Sequence, residues 1–125
     1  MPLVRIDTLK TNAQLGPDIG RIVYETLQEV FKVPADDNFQ VISAHEAGGL
    51  IYDPHYLGIS RGDGIIFIQI TLNEGRPTAS KQAFYSRLAE ELAEQLCLRE
   101  EDVLINLVEV KKENWSFGNG LAQYL

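Results

Sequence analysis

Pro2 directly follows the initiator methionine and leads into a short strand-like run. If Met1 is removed, the chain begins with a secondary amine. An α-amino group has a pKa of about 7.7 to 8.0, so desolvation or a nearby cation would leave much of it neutral and basic at physiological pH. Stabilising the charged form would instead make it an acid. Pro2 is therefore a candidate for proton-transfer catalysis.

Two charged residues in predicted turns could act with such an amine. Arg76 stands between Gly75 and Pro77, directly before a predicted helix, where its guanidinium could grip a carboxylate. The alternatives for Arg76 are a solvated side chain or a surface ion pair with Glu74. Asp37 ends an Asp-Asp pair and could activate water or orient a proton donor, although such pairs are also ordinary turn residues.

The other reactive side chains are assigned structural roles. His45 is expected to be structural, and Cys97 ends an amphipathic helix in an apolar setting, which predicts burial rather than nucleophilic reactivity. A single cysteine excludes an intramolecular disulfide, and no paired Cys or His spacing supports a structural zinc site. The chain also lacks the nucleophile-elbow, phosphate-loop and dinucleotide motifs.

Length and charge restrict the class of protein. With 125 residues, 45% of them hydrophobic, the chain is predicted to form a single domain over residues 1–125. Its net charge of -7 argues against nucleic acid or an anionic membrane surface as a partner, and a small anionic substrate would need local cations. The longest apolar-rich run, residues 65–72, is too short to span a bilayer, and no export signal precedes it, so a cytoplasmic location is expected.

Hydrophobic periodicity predicts the elements that must position these residues. Strands are expected at residues 2–7, 39–45, 64–73 and 103–110, and helices at about 13–32 and 78–96. Asn12 and Thr78 are the expected helix N-caps. Residues 46–63 should form an irregular excursion with a short strand near 50–52.

The order β-α-β occurs twice, and an offset of 65 residues places Asp37 over Asp102. This weak repeat predicts an α+β protein of tandem β-α-β units, with a four-stranded, mostly parallel sheet and both helices on one face. The opposite sheet face would then need a cover, which oligomerisation would supply. The tail around Trp115 and Phe117 would suit a hairpin that reaches a neighbouring subunit, or a plug that closes its own core.

Taken together, these features resemble the tautomerase superfamily, and within it the malonate semialdehyde decarboxylase group, over nearly the whole chain. The resemblance rests on Pro2-Leu3, residues 33–40, His45, Leu57-Gly58 with Arg61, Arg76 before a helix, and residues 115–118. It implies a β-α-β-β-α-β fold assembled as a homotrimer. It also implies an amino-terminal proline in each site and neither a metal nor an organic cofactor.

The resemblance further implies roles for individual residues. Pro2 matches the catalytic proline, Asp37 an aspartate that assists water or proton transfer, and Arg76 an arginine that binds the substrate carboxylate. Trp115 and Phe117 match aromatic wall residues.

One position departs from the pattern. Glu74 stands where the decarboxylases carry the first arginine of an Arg-Pro-Arg motif, so one family cation has become an anion. Arg5 or Arg61 could compensate.

The function expected is a cofactor-independent tautomerase or decarboxylase, an isomerase or carbon–carbon lyase acting on small oxo acids. A neutral Pro2 amine would act as a base in keto–enol tautomerisation, and a cationic one would polarise a carbonyl during decarboxylation. A Schiff base between the amine and an aldehyde is a third route. The alternative from another class is a non-catalytic trimeric binding or structural protein with the same fold.

Overall fold

Two β-α-β units join edge to edge in one four-stranded sheet. The computed structural model describes residues 1–125, with strands β1 (Leu3–Leu9), β2 (Phe39–His45), β3 (Ile66–Asn73) and β4 (Val103–Val110) and helices α1 (Gly16–Phe31) and α2 (Thr78–Leu96). The strand order is β2-β1-β3-β4. β1 pairs with β2 and β3 with β4 in parallel, whereas β1 and β3 are antiparallel. The predicted α+β fold is confirmed, and its one antiparallel pair lies where the two units meet.

Both helices pack on one face of the sheet and form the core with it. Phe84, Leu88 and Leu92 form an apolar stripe on α2 and are fully buried, and Phe84 stacks on Phe31 of α1 with ring centroids 4.8 Å apart. Burying each such side chain contributes about 1.5–3 kcal/mol. No helix combines the length and apolar character needed to cross a bilayer.

The first helix begins later than predicted. Residues Lys10–Leu15 form a 3-10 helix, and α1 starts at Gly16. Asn12 is not an N-cap; its side-chain amide instead donates to the Asp63 carbonyl at 2.8 Å. Gly16 allows the helix to approach β2, because a Cβ at this position would lie 2.8 Å from the Ile42 side chain.

Three other expectations are wrong. Thr78 is the first residue of α2, and Pro77 takes the N-cap position without a side-chain hydrogen bond. Residues 50–52 form no strand; Leu50 is buried as an isolated side chain in a bend. Cys97 is exposed, because α2 ends there in a left-handed conformation (φ 56°) just beyond the buried stripe.

Strand register brings three chain segments together at one end of the sheet. Leu3 pairs with Phe39 on one side and with Thr71 on the other. The amino terminus, the turn before β2 and the carboxyl end of β3 therefore meet, although they are far apart in sequence.

Candidate active site

The amino terminus lies beside a buried carboxylate. Pro2 is buried at the start of β1, and the Met1 amine lies 3.8 Å from Asp37 Oδ2. Asp37 is held by a turn in which its N–H donates to the Pro34 carbonyl at 3.1 Å. Only 8% of Asp37 is exposed, and its other oxygen, Oδ1, is buried without a hydrogen-bond partner. A buried acceptor without a donor is costly, so this oxygen is available to a water molecule or a substrate.

The surroundings shift the pKa of both groups. Burial lowers the pKa of the terminal amine below 8.0, and the positive charges of Arg76 and Lys112 act in the same direction, while Asp37 opposes them. Burial also raises the pKa of Asp37 above 3.8; the charge of Asp36 adds to this effect and the amine opposes it. Desolvation outweighs ion pairing for each group, which favours the neutral forms.

Arg76 provides the cation at this end of the sheet. It follows Gly75, whose φ of 117° permits the sharp turn after β3. The guanidinium donates to the Asn73 carbonyl at 3.1 Å and lies over the Phe31 ring, 4.8 Å from its centroid. Burial lowers the pKa of Arg76 and the nearby Glu109 opposes this, but the side chain stays charged at neutral pH. One oriented guanidinium is therefore available for a carboxylate.

An aromatic wall closes the site. Trp115 and Phe117 stack with centroids 5.3 Å apart, and Tyr124 meets Phe117 edge-on at 5.1 Å. The Trp115 and Phe117 rings border an open pocket of about 210 Å³ next to the amino terminus. The residues that line it are Met1, Pro2, Leu3, Phe39, Trp115, Ser116 and Phe117. An apolar pocket with few polar groups suits a small organic ligand.

The tail does not form the predicted hairpin. β4 is the last strand, and residues 115–125 form turns that lie against their own chain. The Trp115 indole N–H donates to Asn73 Oδ1 at 2.8 Å. Within this chain the tail therefore covers the site rather than extending away from it.

The structure separates several other candidates from this site. The Arg61 guanidinium donates to the backbone carbonyls of Asp53, Tyr56 and Ile59, at 3.2, 3.0 and 3.4 Å, so it stabilises the excursion. Arg5 is exposed on β1 and forms no ion pair in the chain. Neither Arg61 nor Arg5 is placed to supply the positive charge that Glu74 replaces.

His45 also lies away from the site. It pairs with Leu9 at the opposite end of β1, and its Nε2 lies 2.6 Å from Asp7 Oδ1. This contact fits the structural role predicted for it. No group of three or more His, Cys, Asp or Glu side chains is placed to hold a metal ion.

Sequence reasoning missed three residues at the site. Asn73 contacts both Arg76 and Trp115, Lys112 is the second cation near the terminal amine, and Tyr124 completes the aromatic wall. The Lys-Lys pair just before the tail was a possible signal for Lys112. Asn73 and Tyr124 have no local signal, because their roles depend on where the tail folds.

Comparisons with known proteins agree with this geometry. A family model described as "Tautomerase enzyme" matches residues 37–118. The chain is 38% identical over 126 residues to the probable tautomerase YusQ of Bacillus subtilis (strain 168), covering 100% of this chain and 99% of that protein.

Two solved structures of malonate semialdehyde decarboxylases are also similar. The FG41 enzyme inhibited by 3-bromopropiolate has 32% identity and a TM-score of 0.85, covering 98% of this chain and 93% of that one. A second decarboxylase, studied for its decarboxylase and hydratase activities, has 27% identity and a TM-score of 0.86, covering 98% and 95%.

Proposed function

Because the chain belongs to the tautomerase family, we propose that, once Met1 is removed, it converts small oxo acids with the Pro2 amine and no cofactor. One observation carries this proposal: the amino terminus lines an open pocket, and a buried carboxylate with a free oxygen and a half-buried arginine lie near that terminus. Asp37 and Arg76 act with Pro2 in catalysis, and Trp115 and Phe117 bind the substrate.

Keto–enol tautomerisation of a 2-oxo acid is the leading reaction. Arg76 binds the carboxylate, and the neutral Pro2 nitrogen takes a proton from the carbon next to the carbonyl. The C–H electron pair forms the carbon–carbon double bond, and the carbonyl oxygen takes the proton back from the protonated Pro2 amine to give the enol. Burial lowers the pKa of the Met1 amine at this place, and the same desolvation would raise the neutral fraction of a Pro2 amine.

Decarboxylation of a 3-oxo acid is the second candidate. Here a cationic Pro2 amine hydrogen-bonds to the carbonyl. The carbon–carbon bond to the carboxylate breaks, carbon dioxide leaves and the electron pair forms an enolate that is then protonated. The carboxylate of Asp37 supports this reaction, because it lies 3.8 Å from the Met1 amine and would stabilise a cationic Pro2 amine nearby. Its free oxygen can also orient a water molecule.

The cations point to a substrate with one carboxylate. With Glu74 in place of a second arginine, Arg76 is the one arginine whose charge acts on the terminal amine, and Lys112 adds a second positive charge there. A monoanionic oxo acid matches this charge better than a diacid would.

A homotrimer is part of the proposal. The sheet face opposite the helices carries exposed apolar side chains, among them Phe39, Val41, Leu104 and Val108. Exposed apolar side chains on one sheet face favour a surface that a second chain covers. Light scattering after size-exclusion chromatography should give a mass of three chains; a monomer would contradict this part of the proposal.

The deciding experiment compares chains with and without Met1. With Met1 retained, the Pro2 nitrogen is a tertiary amide that can neither accept nor donate a proton. We expect a preparation shown by intact mass to retain Met1 to lose at least about 100-fold in kcat/KM on phenylpyruvate or malonate semialdehyde. Pro2→Ala is the matched control, because its primary amine should keep part of the activity.

The pH dependence then separates the two reactions. A neutral base requires kcat/KM to rise with pH through the pKa of the Pro2 amine, whereas a cationic amine requires it to fall there. Equal turnover with and without Met1 would refute the proposal. Binding of oxo acids without any turnover would favour the non-catalytic trimeric binding protein.

A further inference from the structure

Asn73 links the carboxylate-binding side of the pocket to its aromatic wall. It is the last residue of β3, at the sheet end where the amino terminus lies. Its backbone carbonyl accepts a hydrogen bond from Arg76 at 3.1 Å, and its side-chain Oδ1 accepts one from the Trp115 indole at 2.8 Å. A single residue thus contacts two of the groups assigned to the substrate.

The chemistry of the indole fixes the orientation of the Asn73 amide. An indole N–H can only donate, so the amide oxygen must face Trp115 and the amide nitrogen must point elsewhere. Burial and the charge of Asp37 raise the pKa of the Tyr124 phenol, and the Asn73 side chain acts against this rise. The Asn73 amide therefore lies near two aromatic residues of the wall.

The tail forms few other hydrogen bonds to the rest of the fold. Its other side-chain hydrogen bonds are internal: the Phe117 N–H donates to Gln123 Oε1 at 2.9 Å, and Gln123 Nε2 donates to the Gly118 carbonyl at 2.8 Å. The Trp115–Asn73 hydrogen bond is the link between this self-bonded loop and the end of β3. Stacking among the rings fixes their mutual geometry but not their position over Pro2.

We propose that Asn73 is a positioning residue: its side chain holds Trp115, and with it the aromatic wall, over the Pro2 pocket. The proposal rests on the proposed function of that pocket. Because Arg76 is bound by the backbone of Asn73, a change of side chain should move the wall and leave the arginine in place. Asn73 itself does not have to touch the substrate.

The test uses the single tryptophan of the chain, so that fluorescence reports on this site alone. In the Met1-free protein, Asn73→Ala should shift the Trp115 emission to longer wavelength and make it more accessible to acrylamide. It should also lower kcat/KM for an oxo acid about 3- to 10-fold, as expected for one hydrogen bond, mainly through KM. Asn12→Ala, which also removes a 2.8 Å amide hydrogen bond but at the other end of the sheet, should change neither property.

Two further variants separate positioning from general damage. Asn73→Asp keeps an acceptor for the indole, so the emission should return to that of the unmodified protein. Its added charge should move the amine-dependent limb of the pH profile to higher pH. Trp115→Phe removes only the indole. Because both changes break the same hydrogen bond, the double variant N73A/W115F should lose no more activity than the more damaging of the two single variants.

The outcomes are distinct. Unchanged Trp115 emission in Asn73→Ala, or Asn73→Asp emission equal to that of Asn73→Ala, would overturn the positioning role. So would a shifted emission with unchanged kcat/KM, or fully additive losses in the double variant. If the unmodified protein turned over no oxo acid, the proposed function would fail, and the emission measurements would still decide the role of Asn73.

Discussion

The two β-α-β units each carry a buried aspartate at the same place, but the two carboxylates have different partners. Asp37 and Asp102 lie between the helix and the second strand of their units and are 8% and 3% exposed. Asp102 accepts the Gly62 N–H at 2.8 Å, and its second oxygen lies 3.8 Å from Arg99. One oxygen of Asp37 has no hydrogen-bond partner, and the other lies 3.8 Å from the Met1 amine.

The difference follows from how the chain enters each unit. The second unit is entered from the excursion, so a passing backbone N–H satisfies Asp102 and the carboxylate anchors a loop. In the first unit no backbone N–H reaches Asp37, and the titratable amine of Met1 lies beside it instead. A buried carboxylate that accepts a backbone donor is structural, whereas one with a free oxygen beside a titratable amine is available for chemistry.

The largest effect expected from this comparison is on catalysis. Asp37→Asn keeps the shape of the side chain but removes its charge and its ability to take a proton. We expect kcat/KM to fall about 100-fold in the Met1-free protein. Asp36→Asn, an exposed neighbour, is the matched control and should stay within about twofold. Full activity in Asp37→Asn would remove this aspartate from the reaction.

The corresponding change in the second unit should affect stability instead. Asp102→Ala leaves the Gly62 N–H without an acceptor and Arg99 without its buried partner, which should cost about 2 kcal/mol in the free energy of unfolding. Urea titrations at one protein concentration measure this, since an oligomer's stability depends on concentration. Glu101→Gln, an exposed control, should change it by less than about 0.5 kcal/mol. Lost turnover per folded molecule in Asp102→Ala would contradict the division of roles.

The strand pattern could be predicted from sequence because burial sets it directly. β2 and β4 have the predicted bounds, since alternation is a local property. The start of α1 could not be predicted from sequence, because it depends on how closely Gly16 packs against Ile42 of β2. The same applies to Asn12, whose amide finds the Asp63 carbonyl across the fold.

The candidate site divides in the same way. Pro2, Asp37 and Arg76 could be named from sequence because a terminus, a turn and a strand end are each recognisable locally. Asn73 and Tyr124 could not, because their contacts exist only once the tail crosses the end of the sheet. The offset of 65 residues paired Asp37 with Asp102 but gave no indication that only one would have a backbone donor.

A smaller effect concerns pH and stability at Asp37. Its pKa is raised in the folded protein, so the folded state holds that proton more tightly than the unfolded state does. Stability is therefore lost as pH rises from about 3.8 through the folded pKa. Asn does not titrate, so Asp37→Asn should be more stable than the unmodified chain by about 1 kcal/mol at pH 7 and show no gain below pH 4. Thermal unfolding across this range measures the difference; a loss at pH 7 would mean that the ion pair with the amine outweighs burial.

The smallest effect tests the repeat at its helix ends. Lys32 and Cys97 occupy equivalent positions and both end their helices in the left-handed region, with φ of 59° and 56°. Glycine avoids the steric cost of that conformation but increases the entropy of the unfolded chain, so Cys97→Gly should stabilise by about 0.5 kcal/mol. Lys32→Gly should gain less, because Lys32 Nζ donates to the Glu29 carbonyl at 2.8 Å and that bond would be lost. Urea unfolding of both variants at one protein concentration measures the difference. A larger gain at Lys32 than at Cys97 would show that this lysine contact contributes nothing to the helix end, and that the two units differ there for another reason.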